Sequence, residues 1–192
     1  QISVSIDSLQ PNHFMPKDSL YWLTASAAIK GKGFDLYSAH TSSLLQATIS
    51  DIKYGRNSVS EIQLNGRLKN HAYELQLESG YPLALLKASV SGILHRKKAE
   101  MNLDAQVEHL NLYRLHLVDV PLSTAFRFEA NASSNLNEIL HLTGRLTQWE
   151  LSGEEKTYYP QDTRFEAGTT HDSTYFEITA GDAFMKLNSD QG

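Results

Sequence analysis

Between Ala99 and Glu108 the chain alternates without a break. Ala99, Met101, Leu103, Ala105 and Val107 fall on one parity, and Glu100, Asn102, Asp104, Gln106 and Glu108 fall on the other. A period of two places the first set on one face of a β-strand and the second on its reverse. The best helical register through the same stretch, Leu103, Gln106, Val107 and Leu110, is broken by Gln106. Ala, Glu, Met and Leu are good helix formers, but propensity is a weak prior and the pattern outweighs it. A strand of this length spans roughly 30 Å. The same two-faced writing recurs through much of the chain, which predicts one large sheet with one apolar surface. The functional question is what that surface covers.

Taken in order, Ile2, Val4 and Ile6 alternate with polar residues as a first short strand, and Pro11 to Lys17 breaks the pattern. Lys17 to Leu23 is compatible with a single helical turn capped by Asp18 or Ser19. Alternation resumes from Ala25 to Ile29 and gives way to Lys30-Gly31-Lys32-Gly33, read as a turn or bulge because the Walker spacing and its Ser/Thr are missing. Leu44 to Ile52 is a strand, Tyr54 to Asn57 a turn, and Ile62, Leu64, Gly66 and Leu68 the next inward row. Lys69-Asn70-His71 reverses the chain into Tyr73, Leu75 and Leu77, and Ala88, Val90, Gly92 and Leu94 lead to a turn at His95 to Lys98. Past the Ala99 strand, Leu122 to Ala130 is a strand, Asn131 to Asn137 a polar turn, and Leu140, Leu142, Gly144 and Leu146 a strand. The parity then shifts near Gln148, as a bulge would require. Gly153 to Asp162 reads as a charged loop, Thr169 to Ser173 as a turn, and Phe176, Ile178 and Ala180 as partners of Phe184 and Leu187.

No helix long enough to cover the apolar side interrupts this meander. A one-sided sheet must bury that side against a second layer, against itself, or against a ligand. The predicted class is therefore all-β: a long antiparallel meander curled into an open apolar groove, with no substantial helix. The 192 residues form one such segment, expected to be cut from a longer chain because no initiator Met or signal peptide opens it. A net charge of -5 leaves no basic footprint for nucleic acid. With no cysteine there is neither a disulfide framework nor a thiolate metal site.

A catalytic constellation is missing too. The eight histidines are scattered, and there is no His-Glu-x-x-His, no Gly-x-Ser-x-Gly and no acidic calcium loop, so neither enzyme nor cofactor nor metal is expected. Arg96-Lys97-Lys98 could meet an anionic headgroup, but a charged hairpin tip is usually just solvated. Leu64 to Leu68, Val90 to Leu94 and Leu142 to Leu146 share a central glycine, and Gly66, Gly92 and Gly144 stand 26 and 52 residues apart. This is a weak repeat of about two strands. Each glycine sits on the apolar row, where it either lets the strand bend or leaves room for something lying in the concavity.

Several of these motifs together carry a family resemblance. Gly31-Lys32-Gly33-Phe34-Asp35, Tyr54-Gly55, Leu64 to Asn70, Leu110-Asn111-Leu112-Tyr113 with Leu115-His116-Leu117, Leu142 to Leu146 and Ser173 to Leu187 resemble TamB, the translocation and assembly module of the AsmA-like group, in its Bacteroides-type form. The resemblance implies a periplasmic part of an inner-membrane-anchored cell-envelope protein whose sheet curls into an apolar, β-taco-like groove. It further implies phospholipid as cargo and an Omp85-type outer-membrane barrel as partner of other parts of the parent chain. The implied role is lipid transport between membranes and outer-membrane protein assembly. The family offers no catalytic residues. Its inward row corresponds here to Leu64, Leu68, Leu75, Leu77, Val90, Leu94, Met101, Leu103, Val107, Phe126, Phe128, Leu142 and Leu146.

The expectation is thus a non-enzymatic segment that shields acyl chains. The alternative is a secreted carbohydrate-binding or adhesive β-sandwich in which Tyr21, Trp22, Trp149, Tyr158 and Tyr159 stack on sugars. A scaffold that only spans distance, gripping no ligand, shares the same alternation.

Overall fold

The computed structural model describes residues 2–9, 20–33, 35–54 and 57–190. Every regular element among them is a strand: β1 (Ile2–Leu9), β2 (Leu20–Lys32), β3 (Ser42–Tyr54), β4 (Asn57–Lys69), β5 (Ala72–Ser79), β6 (Ala84–His95), β7 (Lys98–Asn111), β8 (Leu122–Ser134), β9 (Leu140–Gly153), β10 (Thr157–Tyr158), β11 (Thr163–Thr169), β12 (Ser173–Ala180) and β13 (Ala183–Asp190). They form one antiparallel sheet in sequence order from β1 to β9, continuing through β11 and β12 to β13. β10 and β11 both pair with β9, at Leu151–Ser152 and Leu140–Leu146 respectively, so they act as one strand interrupted by the Pro160 segment.

The meander follows from turn chemistry. Asn70 and His71 both take positive φ, 50° and 67°, between the paired Lys69 and Ala72, the two-residue geometry whose twist matches that of the flanking strands. Arg96 and Lys97 close the next hairpin between the paired His95 and Lys98. At the β8–β9 connection, Asn135 Oδ1 accepts from the backbone N–H groups of Asn137, Glu138 and Ile139 at 3.0, 3.0 and 2.9 Å, organising a loop that would otherwise leave these donors bare.

Each strand contacts only its neighbours in the ladder, and β1 does not meet β13, so the sheet is open and, among the described residues, carries no second layer. Among the described residues no large side chain is wholly buried. The best-covered patch lies where β6, β7 and β8 adjoin: Ala84, Val107 and Thr124 are buried there, as is Leu115 in the compact loop between β7 and β8. That loop is held by Asn111 N–H to Leu83 O at 2.8 Å and Tyr113 N–H to Leu122 O at 3.3 Å. Bulges shift the register in the β1–β2, β2–β3, β6–β7, β7–β8 and β8–β9 pairs. Each adds local twist and bend to the sheet.

Several boundaries differ from the sequence expectation. Leu20–Leu23 begins β2 and is no helical turn; the remainder of that segment and Pro11 to Lys17 lie outside the described residues. Gly31 and Lys32 end β2, and Gly33, at φ 80°, starts the turn. Gly55 and Arg56 lie outside the described residues, while Tyr54 and Asn57 on either side of them are paired. Asn131 to Ser134 belongs to β8: Ala132 continues the inward parity, and the polar residues around it simply face the other way. Thr157–Tyr158 returns to β9 from within the expected loop. Phe184 pairs with Thr179 on the polar parity, whereas Leu187 pairs with Phe176 and Met185 with Ile178. The bulge near Gln148 is present, with Gln148 at φ 52° and the β8–β9 register slipping between Ala125 and Arg127.

Candidate functional site

Directly opposed residues in an antiparallel pair share a face, so the registers can be chained across the sheet. One chain runs Ile29, Leu45, Gly66, Leu75, Val90, Leu103, Ala130, Gly144, Phe165, Ile178 and Met185, from β2 to β13. Every member is apolar or glycine. The next row holds Ala47, Leu64, Leu77, Ala88, Ala105, Phe128 and Leu146, reaching Thr163 as its polar exception. On the other side lie Leu68, Tyr73, Gly92, Met101, Ala132 and Leu142. Val107 joins Leu86 and Phe126 in an outer row, and Leu94 opposes Ala99 in another.

All thirteen expected inward residues therefore occupy one face. Eleven strands at about 4.8 Å spacing make the central row roughly 50 Å long, and four rows extend it by some 20 Å along the strands. The resulting apolar area, on the order of 1,000 Å², exceeds the largest patch of an ordinary monomer.

Accessibility separates the two faces. Along β4, Ile62, Leu64 and Leu68 are half-buried and Gly66 is buried, while Glu61, Gln63, Asn65, Arg67 and Lys69 are exposed. With no second layer among the described residues to do the covering, this is the pattern of a sheet bent toward its apolar side. Coverage weakens toward the last strand: Val107 is 9% exposed and Ala130 4%, against 46% for Met185.

The three glycines of the apolar face are occupied by neither a bend alone nor a vacancy. Phe165 lies flat over Gly144, where an added Cβ would meet ring atoms at 2.1, 2.4 and 2.9 Å, and stacks on Phe128 with centroids 5.9 Å apart. Tyr73 crosses Gly92 and donates its hydroxyl to Glu100 O at 3.1 Å; burial raises its pKa. A Leu75 methyl covers Gly66. A large residue on one strand thus fills the gap left by glycine on the next. Ile29, Leu45, Ala130, Phe165, Ile178 and Met185 complete the central row and lie outside the expected inward set. Their parity was readable, but their pairing partners were not.

The reverse face is polar and tied by charge. Arg127 donates to Asp104 at 2.6 Å and to Glu129 at 3.2 Å, and Arg145 donates to Glu129 at 2.8 Å, a ladder over β7, β8 and β9. Shallow clefts on this face, such as one of about 250 Å³ between Lys30, Leu44, Gln46, Arg67 and Glu74, are gaps among long side chains. Tyr175 covers Gly168, donates to Glu166 at 3.0 Å and touches His141 Nδ1 at 3.0 Å; burial first, then Glu166, raises its pKa.

No protein-family model, curated protein or solved structure matches this chain. Among the described residues no three His, Asp or Glu side chains converge as a metal site would require. Nor do the aromatics converge on a sugar platform: Tyr21 and Trp22 flank Lys53 on β2 and β3, whereas Tyr158 and Tyr159 are exposed beside β9, several strands away. Trp149 is half-buried and donates to Thr124 Oγ1 at 3.2 Å. One open sheet is also not the sandwich that the carbohydrate reading assumed.

Proposed function

We propose that this chain shelters acyl chains on its apolar face, as a non-enzymatic segment of a TamB-like cell-envelope protein that moves phospholipid between membranes. The observation that carries this reading is the uninterrupted apolar row from Ile29 to Met185, with no layer of the described residues above it. The mechanism is burial alone. Each sequestered methylene contributes about 0.8 kcal/mol, and a row of Ala, Val, Leu and Phe without polar interruption offers a moving chain no group that would hold it at one point. Met101 and the Phe128–Phe165 pair adapt to irregular tails. The periplasmic setting, the inner-membrane anchor and the Omp85-type partner are proposed from the family resemblance.

The test is native mass spectrometry of the chain purified from bacterial membranes in mild detergent. Co-purifying phospholipid that disappears in Leu103→Asp is expected. A clean apo mass, together with no lipid uptake from vesicles, would overturn the proposal and favour a scaffold that spans distance without cargo.

A further inference from the structure

The two rims of the sheet differ in charge, and that difference gives a lipid a preferred headgroup. At the rim where β2 ends and β4 ends, Lys32 and Lys69 both oppose Ser42, and one row further in Lys30 and Arg67 both oppose Leu44. Four exposed cations thus form a rectangle about 10 Å by 7 Å, from two strand spacings and two residue rises. None of them makes an ion pair with a described residue. Glu74 stands opposite Arg67, its Oε1 accepting from Gln76 Nε2 at 2.8 Å, so the cluster sets four cations against one carboxylate. Lys97 adds an unpaired charge at the neighbouring hairpin tip, beside Arg96 and Lys98, which are neutralised by Asp35 and Glu100. At the opposite rim stand Asp51, Glu61, Glu78 and Glu108 on β3, β4, β5 and β7, against Lys53 and Lys87, the latter paired with Glu78 at 3.1 Å. A net charge of -5 makes this local excess of cations an asymmetry of the fold and not of the composition.

A second observation separates a lipid from a free anion. Leu44, midway between Lys30 and Arg67 on the inner edge of the rectangle, is 52% exposed on the otherwise polar face. An exposed aliphatic residue ringed by long cationic side chains suits a headgroup joined to hydrocarbon, because the lysine stems lie along apolar matter while their charges reach the phosphate.

Resting on the acyl-shelter reading, we propose that this rim engages the phosphate headgroup of anionic phospholipid, such as phosphatidylglycerol, whose chains then pass to the apolar face. Each cation near an anionic lipid surface raises binding about fivefold. Removing three of these charges lowers it on the order of 100-fold, and reversing them lowers it further.

The test compares binding of the chain to vesicles of phosphatidylcholine alone and of phosphatidylcholine mixed with phosphatidylglycerol. Uptake of a fluorescent phosphatidylcholine from the neutral vesicles is measured alongside. The variants are a triple Lys32→Glu, Lys69→Glu, Lys97→Glu and, separately, Leu103→Asp. The expected result is tighter, salt-sensitive binding to the mixed vesicles that the triple variant loses while still taking up phosphatidylcholine, and loss of uptake in Leu103→Asp. Equal binding to both vesicles, or a triple variant that keeps the preference, overturns the headgroup assignment and leaves the acyl shelter standing. Full competition by inorganic phosphate at stoichiometric concentration overturns it in favour of a free-oxyanion site. No uptake of either lipid by the unaltered chain overturns both.

Discussion

Placing a methyl group on Gly144 tests how the apolar face is filled. The Phe165 ring occupies the space where that methyl would stand, with ring atoms 2.1, 2.4 and 2.9 Å away. The three nearest atoms all belong to the Phe165 ring, so the ring must turn off. Turning it forfeits the near-parallel stack on Phe128, 5.9 Å between centroids at 14°, worth about 0.5–1.5 kcal/mol. Leaving its rotamer costs about another 0.5–1.5 kcal/mol. Against this, replacing glycine by alanine in a strand interior returns about 0.5–1 kcal/mol. Gly144→Ala should therefore destabilise by a net ~1–2 kcal/mol, a urea midpoint lower by roughly 0.5–1 M at an m-value near 2 kcal/mol/M. The control is the same change in a Phe165→Leu background, where the smaller side chain gives way and the alanine should be neutral or stabilising. A Gly144→Ala protein as stable as the unaltered chain, with no difference between the two backgrounds, would refute the account of aromatic covering.

Because the apolar face is open to water, truncating its residues should cost less than in a closed core. Val107→Ala, at a 9% exposed position, is expected to lose about 1–2 kcal/mol by urea unfolding, and Leu75→Ala, 38% exposed, clearly less. Equal losses would indicate a cover over the face. For the same reason Leu103→Asp should leave the β-sheet circular dichroism intact while removing lipid uptake, since its carboxylate stays solvated. Asp35 is held below its ordinary carboxyl pKa of 3.8, first by the hydrogen bond from Arg96 and then by the backbone N–H of Tyr37. A lowered folded-state value makes its contribution fully present above about pH 4 and lost as the pH falls through the lowered value. Arg96→Ala should raise the Asp35 titration seen by carboxyl NMR back toward the ordinary value, and an unchanged midpoint would contradict the pairing. Glu129→Gln weakens the bridges to Arg127 and Arg145, and because these are surface pairs it should cost only about 0.5 kcal/mol, and less at high salt.

The strands were legible because period two is a local property. Leu44, Ile62, Tyr73, Ala88, Ala99 and Leu122 each lie in or begin a strand whose inward parity matches the sheet, Leu44 alone falling on the polar side. Errors arose where polarity masked parity. Asn131 to Ser134 reads as a turn because three of its four residues are polar, yet the ladder with β9 extends through it. Thr157–Tyr158 carries too little pattern to be separated from the charged loop around it. Hydrophobicity alone places Phe184 among the inward residues, whereas the tight turn at Gly181, φ 56°, fixes the register and turns it outward. What covers each glycine was beyond reach of the sequence, since Phe165 is 21 residues from Gly144 and meets it only through the β9–β11 register. The cation rectangle was hidden for the same reason: Lys32 and Lys69 become neighbours only through Ser42.

The central claim, that lipid lies on one face of this sheet, is tested most directly by alternating photo-crosslinking along β6 and β7. A benzophenone amino acid is placed in turn at Val90, Ser91, Met101, Asn102, Leu103 and Asp104 in cells, and the crosslinked species are identified by mass. Phospholipid adducts are expected at Val90, Met101 and Leu103 and none at Ser91, Asn102 and Asp104. Adducts of equal yield on both parities, or none on the apolar one, would contradict it.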